Sequence, residues 1–107
     1  MKSPILHTRH LPINAIRAFC ARWGVSEFSL FGSIVRADFT PTTDIDVLVQ
    51  FRDGIRYTLF DLARMGDELE AIFGRTVDLL DRRAVETSPN YIRRDQILQS
   101  AEVIYAA

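Results

Sequence analysis

Leu30-Phe-Gly-Ser-Ile-Val-Arg36 and Thr43-Asp-Ile-Asp-Val-Leu-Val-Gln-Phe51 are the segments that decide how this chain folds. From Asp44 to Phe51 the residues are β-branched, aromatic and apolar, which reads as a strand that Arg52-Asp53-Gly54 closes with a turn. Before it, Glu27-Phe-Ser-Leu-Phe31 alternates as a strand does and ends at Gly32-Ser33. Between the two, Ile34 to Asp38 reads as a short helix and Phe39-Thr-Pro-Thr-Thr43 as a loop rich in turn formers. Upstream, Ile13, Ile16, Phe19, Cys20 and Trp23 recur at spacings of three and four. They mark one face of a helix over Leu11–Trp23, which Gly24 stops. Downstream, Leu59, Leu62, Ala63, Leu69 and Phe73 mark a second such face over Tyr57–Phe73, with Gly74 as its C-cap. Thr76–Leu80 reads as a third strand, Ser88-Pro89-Asn90 as a turn, Tyr91–Ala101 as a helix and Val103-Ile-Tyr105 as a short tail. This order predicts an α/β (α+β) fold, a small sheet flanked by helices. All of 1–107 is expected to form one domain, with residues 1–10 as a loop or arm.

Composition narrows the function. With 13 basic and 14 acidic residues the net charge is −1, which argues against a general nucleic-acid binder. Cys20 is the single cysteine, so no internal disulfide exists, and its helical position suggests a small core residue. No segment approaches the ~20 apolar residues of a membrane span, and no signal peptide is visible. The expected location is cytoplasmic.

Three features carry chemistry. Asp44 and Asp46, two apart on a strand, point to one face among Ile45, Val47, Leu48 and Val49. Like charges so placed repel, and a divalent cation relieves them; oxygen-only ligands favour Mg²⁺ or Mn²⁺. The plainer alternative leaves both aspartates in a solvated loop ahead of the strand. Gly32-Ser33 lies where a strand meets a helix, a corner at which a phosphate can approach backbone N–H groups, or an ordinary helix cap. Arg36, three residues on, can reach such a phosphate or lie in solvent. Asp78, a charge within the strand Val77-Asp-Leu-Leu80, completes a three-carboxylate cluster if the strands are neighbours. Otherwise it is an edge-strand aspartate paired with Arg75 or Arg82. The arginines at 82, 83, 93 and 94 face an acidic partner or a nucleotide, or are solvated surface. His7 and His10, with no cysteine pair nearby, make a poor zinc site.

Gly32-Ser33, ten intervening residues and Asp44-Ile-Asp46 together resemble the signature of the polymerase-β-like nucleotidyltransferases. The fuller Phe31–Arg36 and Thr43–Phe51 runs are similar to its minimal, MNT-type branch. So are Gly74-Arg-Thr-Val-Asp-Leu-Leu80 and Tyr91-Ile-Arg-Arg-Asp-Gln-Ile-Leu98, and the resemblance spans residues 11 to 105. Thr43 stands where serine is usual, and Ala37 where glycine often follows the arginine. The resemblance implies a mixed sheet in the polymerase-β-like fold and an Mg²⁺-dependent enzyme using ATP. Asp44, Asp46 and Asp78 would be its metal ligands and catalytic residues. Gly32 and Ser33 would cradle the β- and γ-phosphates, and Arg36 would offset leaving-group charge. It further implies an antitoxin, in a hetero-oligomer with a HEPN-domain ribonuclease toxin, that transfers AMP to a tyrosine hydroxyl of that toxin. The competing expectation is a binding module that silences its partner by contact alone; an intact acidic cluster favours the enzyme. An Asp-x-Asp glycosyltransferase would need more chain.

Overall fold

Alternating apolar residues at Val25–Phe31 and a nearly unbroken apolar run at Ile45–Phe51 form the two central strands of a four-stranded sheet. The computed structural model describes residues 11–32 and 44–107. The expected arm over residues 1–10, the helix over Ile34–Asp38, Ser33, Arg36 and both histidines lie outside them.

The elements are α1 (Ile13–Trp23), β1 (Val25–Phe31), β2 (Ile45–Phe51), α2 (Leu59–Phe73), β3 (Val77–Asp81), α3 (Arg82–Glu86), α4 (Tyr91–Ser100) and β4 (Glu102–Ala106). Sheet order is β3-β2-β1-β4; β1 runs antiparallel to β2 and β4, and β2 runs parallel to β3 through the α2 crossover. The sheet is therefore mixed, as expected. Two elements were not foreseen. Val103-Ile-Tyr105 is no tail but the heart of β4, which pairs with β1 from Glu27↔Ala106 to Leu30↔Glu102. The five-residue α3 lacks an apolar period and begins because Asp81 caps it, its Oδ1 accepting from the Arg83 N–H at 2.9 Å.

Each long helix is held by local chemistry. Gly24 ends α1 in the left-handed region at φ 71° and donates to the Cys20 carbonyl. At the head of α2 the Thr58 hydroxyl accepts from the Asp61 N–H at 3.1 Å, and the Asp61 carboxylate accepts from the Thr58 N–H at 3.0 Å. Gly74 ends the helix at φ 73°. The buried face of α2 is centred on Met65 and Leu69, while Leu59, expected in the core, is 83% exposed. Leu59 is the first helical residue and precedes the turn that reaches the sheet.

Helices cover both faces. On one, Ile16, Phe19 and Cys20 of α1 and Met65 and Leu69 of α2 pack on Val25, Phe28, Leu30, Val47 and Val49. Phe19 meets Phe28 edge-on, 6.1 Å between ring centres, a contact that contributes about 1 kcal/mol beyond area burial. On the other face, Val85 of α3 and Ile97 of α4 pack on Phe31 and Leu48. Among the described residues this second layer is thinner, and at its end a cleft separates the sheet from part of α4.

Candidate active site

In-register pairing brings the carboxylates together. β2 and β3 align Asp46 with Asp78, and β1 aligns Phe31 with Asp46, so all three project from one face. The tie between Ile45 N–H and the Thr76 carbonyl, 2.9 Å, fixes that register at the head of both strands. Gly32 follows Phe31 in a left-handed conformation, φ 75°. A β-carbon at this position would stand 2.2 Å from Asp46 Oδ2, so only glycine lets backbone and carboxylate come this close.

Phe31, Gly32, Asp46 and Asp78 form one wall of a cleft of about 660 Å³, a volume in the range of small-ligand sites. The opposite wall is α4, which contributes Arg93, Gln96, Ile97, Gln99 and Ser100. Asp46 is half-buried and Asp78 exposed. The second aspartate of β3, Asp81, is committed elsewhere: it accepts from the Tyr57 hydroxyl as well as from Arg83. Burial, and then the bond to Asp81 and its charge, push the Tyr57 phenol up to about 12. Arg82, considered as a partner for Asp78, instead contacts Glu27 at 3.0 Å and Glu86 at 3.2 Å. Arg83 pairs with Asp53, and Arg94 with Asp95.

Of the residues singled out by sequence, the structure gathers Gly32, Asp46 and Asp78. Asp44 stands exposed one residue before β2 and does not line the cleft. Ser33 and Arg36 lie outside the described residues. Among the described residues no group of three histidine, cysteine, aspartate or glutamate side chains gathers to hold an ion. What they offer is a pair of in-register carboxylates at the rim of a cleft. That donor set fits Mg²⁺, which commonly takes one or two protein carboxylates and completes its shell with water and substrate phosphates. Sequence reasoning singled out Arg93 as facing a nucleotide, an acidic partner or solvent, but missed the α4 wall as a whole. Its one signal is polar side chains at positions 93, 96 and 100 of a helix whose sole buried residue is Ile97.

Comparison with known proteins agrees with this geometry. The family described as nucleotidyltransferase domain matches residues 13–103. A Methanocaldococcus jannaschii protein, named provisionally as a protein adenylyltransferase, is 38% identical over 78 residues, 73% of this chain and 77% of its own. Protein adenylyltransferase MntA of Thermococcus cleftensis is 33% identical over 66 residues, 62% of this chain and 65% of that relative. A solved structure, described provisionally as a minimal nucleotidyltransferase, superposes at TM-score 0.65 with 33% identity and 95% of each chain covered. A chain of the complex between tri-AMPylated Shewanella oneidensis HEPN toxin and MNT antitoxin shares the fold. It superposes at TM-score 0.63 with 19% identity, over 94% of this chain and 74% of its own. Among the described residues no helix is long and apolar enough to cross a membrane. Matched over residues 13–103 and sharing 38% of aligned positions with a relative along most of its length, the chain belongs to the nucleotidyltransferase domain family.

Proposed function

We propose that this protein transfers AMP from ATP to a hydroxyl of a protein acceptor, a tyrosine of a HEPN-type toxin, and thereby acts as an antitoxin in a reducing, cytoplasmic compartment. The observation that carries the reading is the Asp46–Asp78 pair, set in register on parallel strands beside a glycine that admits no side chain. The names of the relatives supply the adenylyl group and the protein acceptor, and an ATP analogue bound in a similar toxin–antitoxin structure supports ATP as donor.

In this reading Asp46 and Asp78 would hold Mg²⁺ across the two strands; Asp44, exposed just ahead of β2 and outside the cleft lining, would have to turn toward them to add a third carboxylate. When bound, the cation neutralises phosphate charge on the attacking and leaving sides of the displacement. The acceptor oxygen forms a bond to the α-phosphorus, the bond from that phosphorus to the bridging oxygen breaks, and pyrophosphate leaves. Asp78, the more exposed carboxylate, orients the acceptor hydroxyl and takes its proton. Gly32 and Ser33 would cradle the β- and γ-phosphates, and Arg36 would offset charge on the departing pyrophosphate. Holding donor and acceptor in line supplies most of the acceleration.

The test uses the full chain co-purified with its toxin partner and α-labelled ATP with MgCl₂. Label should enter the partner with wild type and be lost with Asp46→Asn or Asp78→Asn, while the fold persists by circular dichroism. Undiminished labelling by both variants would falsify the enzymatic reading. Neutralisation of the toxin without any added mass would leave inhibition by contact as the function.

A further inference from the structure

The α4 wall of the cleft is polar around the buried Ile97, presenting Arg93, Gln96, Gln99 and Ser100. Arg93, Gln96 and Ser100 lie at i, i+3 and i+7, one stripe of the helix, and all three face the space that Asp46 and Asp78 border. From Arg93 to Ser100 this stripe runs about 10 Å along the axis. Of the four arginines on α3 and α4, Arg82, Arg83 and Arg94 each hold a carboxylate. Arg93 is different. Its backbone N–H is fixed to Asn90 Oδ1 at 3.3 Å, so the residue leaves a capped first turn. Its guanidinium has no hydrogen bond or ion pair among the described residues, and it lines the cleft. Two carboxylates on one wall and an uncommitted guanidinium on the other complement a polyanion that carries its own cation. A nucleoside triphosphate with a divalent ion has that composition, and a guanidinium fork matches two phosphate oxygens at once.

Resting on the nucleotidyl-transfer reading, we propose that Arg93 is a donor-binding residue that grips the phosphate chain of the nucleotide from the α4 side of the cleft. The contact is made to the bound donor before transfer, so its loss raises the KM for ATP and leaves kcat near its wild-type value.

The experiment measures binding of α,β-methylene-ATP with MgCl₂, in which carbon replaces the bridging oxygen of the bond that transfer breaks. Arg93→Ala should weaken binding about ten- to a hundredfold, the range of a charged hydrogen bond. Arg93→Lys keeps the charge without the fork and should fall between Arg93→Ala and wild type. Arg94→Ala, at a residue paired with Asp95, should bind as wild type does. Inorganic tripolyphosphate should displace the analogue from wild type, and need at least about tenfold higher concentration against Arg93→Ala, which ties the contact to phosphate. Wild-type affinity in both Arg93→Ala and Arg93→Lys, with unchanged melting, overturns the assignment. If wild type itself fails to bind the analogue, the nucleotidyl-transfer reading falls first; if wild type binds, only Arg93 is at stake.

Discussion

Gly32 and Gly74 share nearly the same left-handed backbone, φ +75° and +73°, but not the same surroundings. A β-carbon at Gly74 meets nothing within 4 Å, so Gly74→Ala measures backbone cost alone, about 1–2 kcal/mol. At Gly32 the same atom must open a 2.2 Å approach to Asp46 Oδ2 out to at least 3.0 Å, which displaces that oxygen by about 0.8 Å. A carboxylate yields by rotating off its preferred torsion, at about 0.5–1.5 kcal/mol. Gly32→Ala should thus be less stable than Gly74→Ala by that difference, read from urea unfolding of both. Its effect on transfer should be far larger, because a ligand moved by about 1 Å costs on the order of a hundredfold in rate. Gly74→Ala should transfer AMP normally. In an Asp46→Ala background the extra stability cost of Gly32→Ala should vanish, since the atom it collides with is gone. Transfer by Gly32→Ala within a few fold of Gly74→Ala would refute the reasoning, as would an excess cost that survives removal of Asp46.

Three further outcomes are expected. Burial pushes the Cys20 thiol up to about 12, against a pull downward from Arg52, whereas the unfolded chain ionises near 9.0. Stability is then whole below pH 9 and declines toward pH 12 by up to about 1.4 kcal/mol per pH unit, so urea midpoints should fall more steeply over that window for wild type than for Cys20→Ala. Thr58→Ala removes half of the reciprocal cap on α2 and should cost about 1 kcal/mol in unfolding free energy, while Thr58→Ser should cost little. In a phenolate absorbance titration one tyrosine should ionise near pH 12, and Asp81→Asn should move it down by removing both the bond and the charge.

What could be read in the sequence was what local chemistry decides. Ile45–Phe51 is apolar enough to be a strand in any context, and Gly24 and Gly74 mark helix ends because each closes a left-handed cap. β4 escaped because Glu102–Ala106 becomes a strand only through pairing with residues some 75 positions earlier in the chain. α3 escaped because a five-residue helix carries too few turns to show a period. At the site, the Asp46–Asp78 meeting was legible as a condition, since it needed β2 and β3 to be neighbours, and the parallel pairing met that condition. Asp44 followed the same spacing argument yet stands exposed before the strand, because β2 begins at Ile45 and position 44 is not held to the pleat. Gln96, Gln99 and Ser100 gave only a weak signal, since polar residues on a helix look the same whether they face bulk water or a cleft.

β3 is the outermost strand of the sheet, and this has a bearing on what can be served there. Asp78 sits on the shoreline of the fold, not at the bottom of a shaft. A molecule arriving from that flank meets no further strand among the described residues, whatever its bulk. Among the described residues, selection by gate or depth is therefore weak along this approach. Discrimination between visitors must come from the fit of their outer surfaces to the ground around β3, which suits a customer that is itself a folded macromolecule.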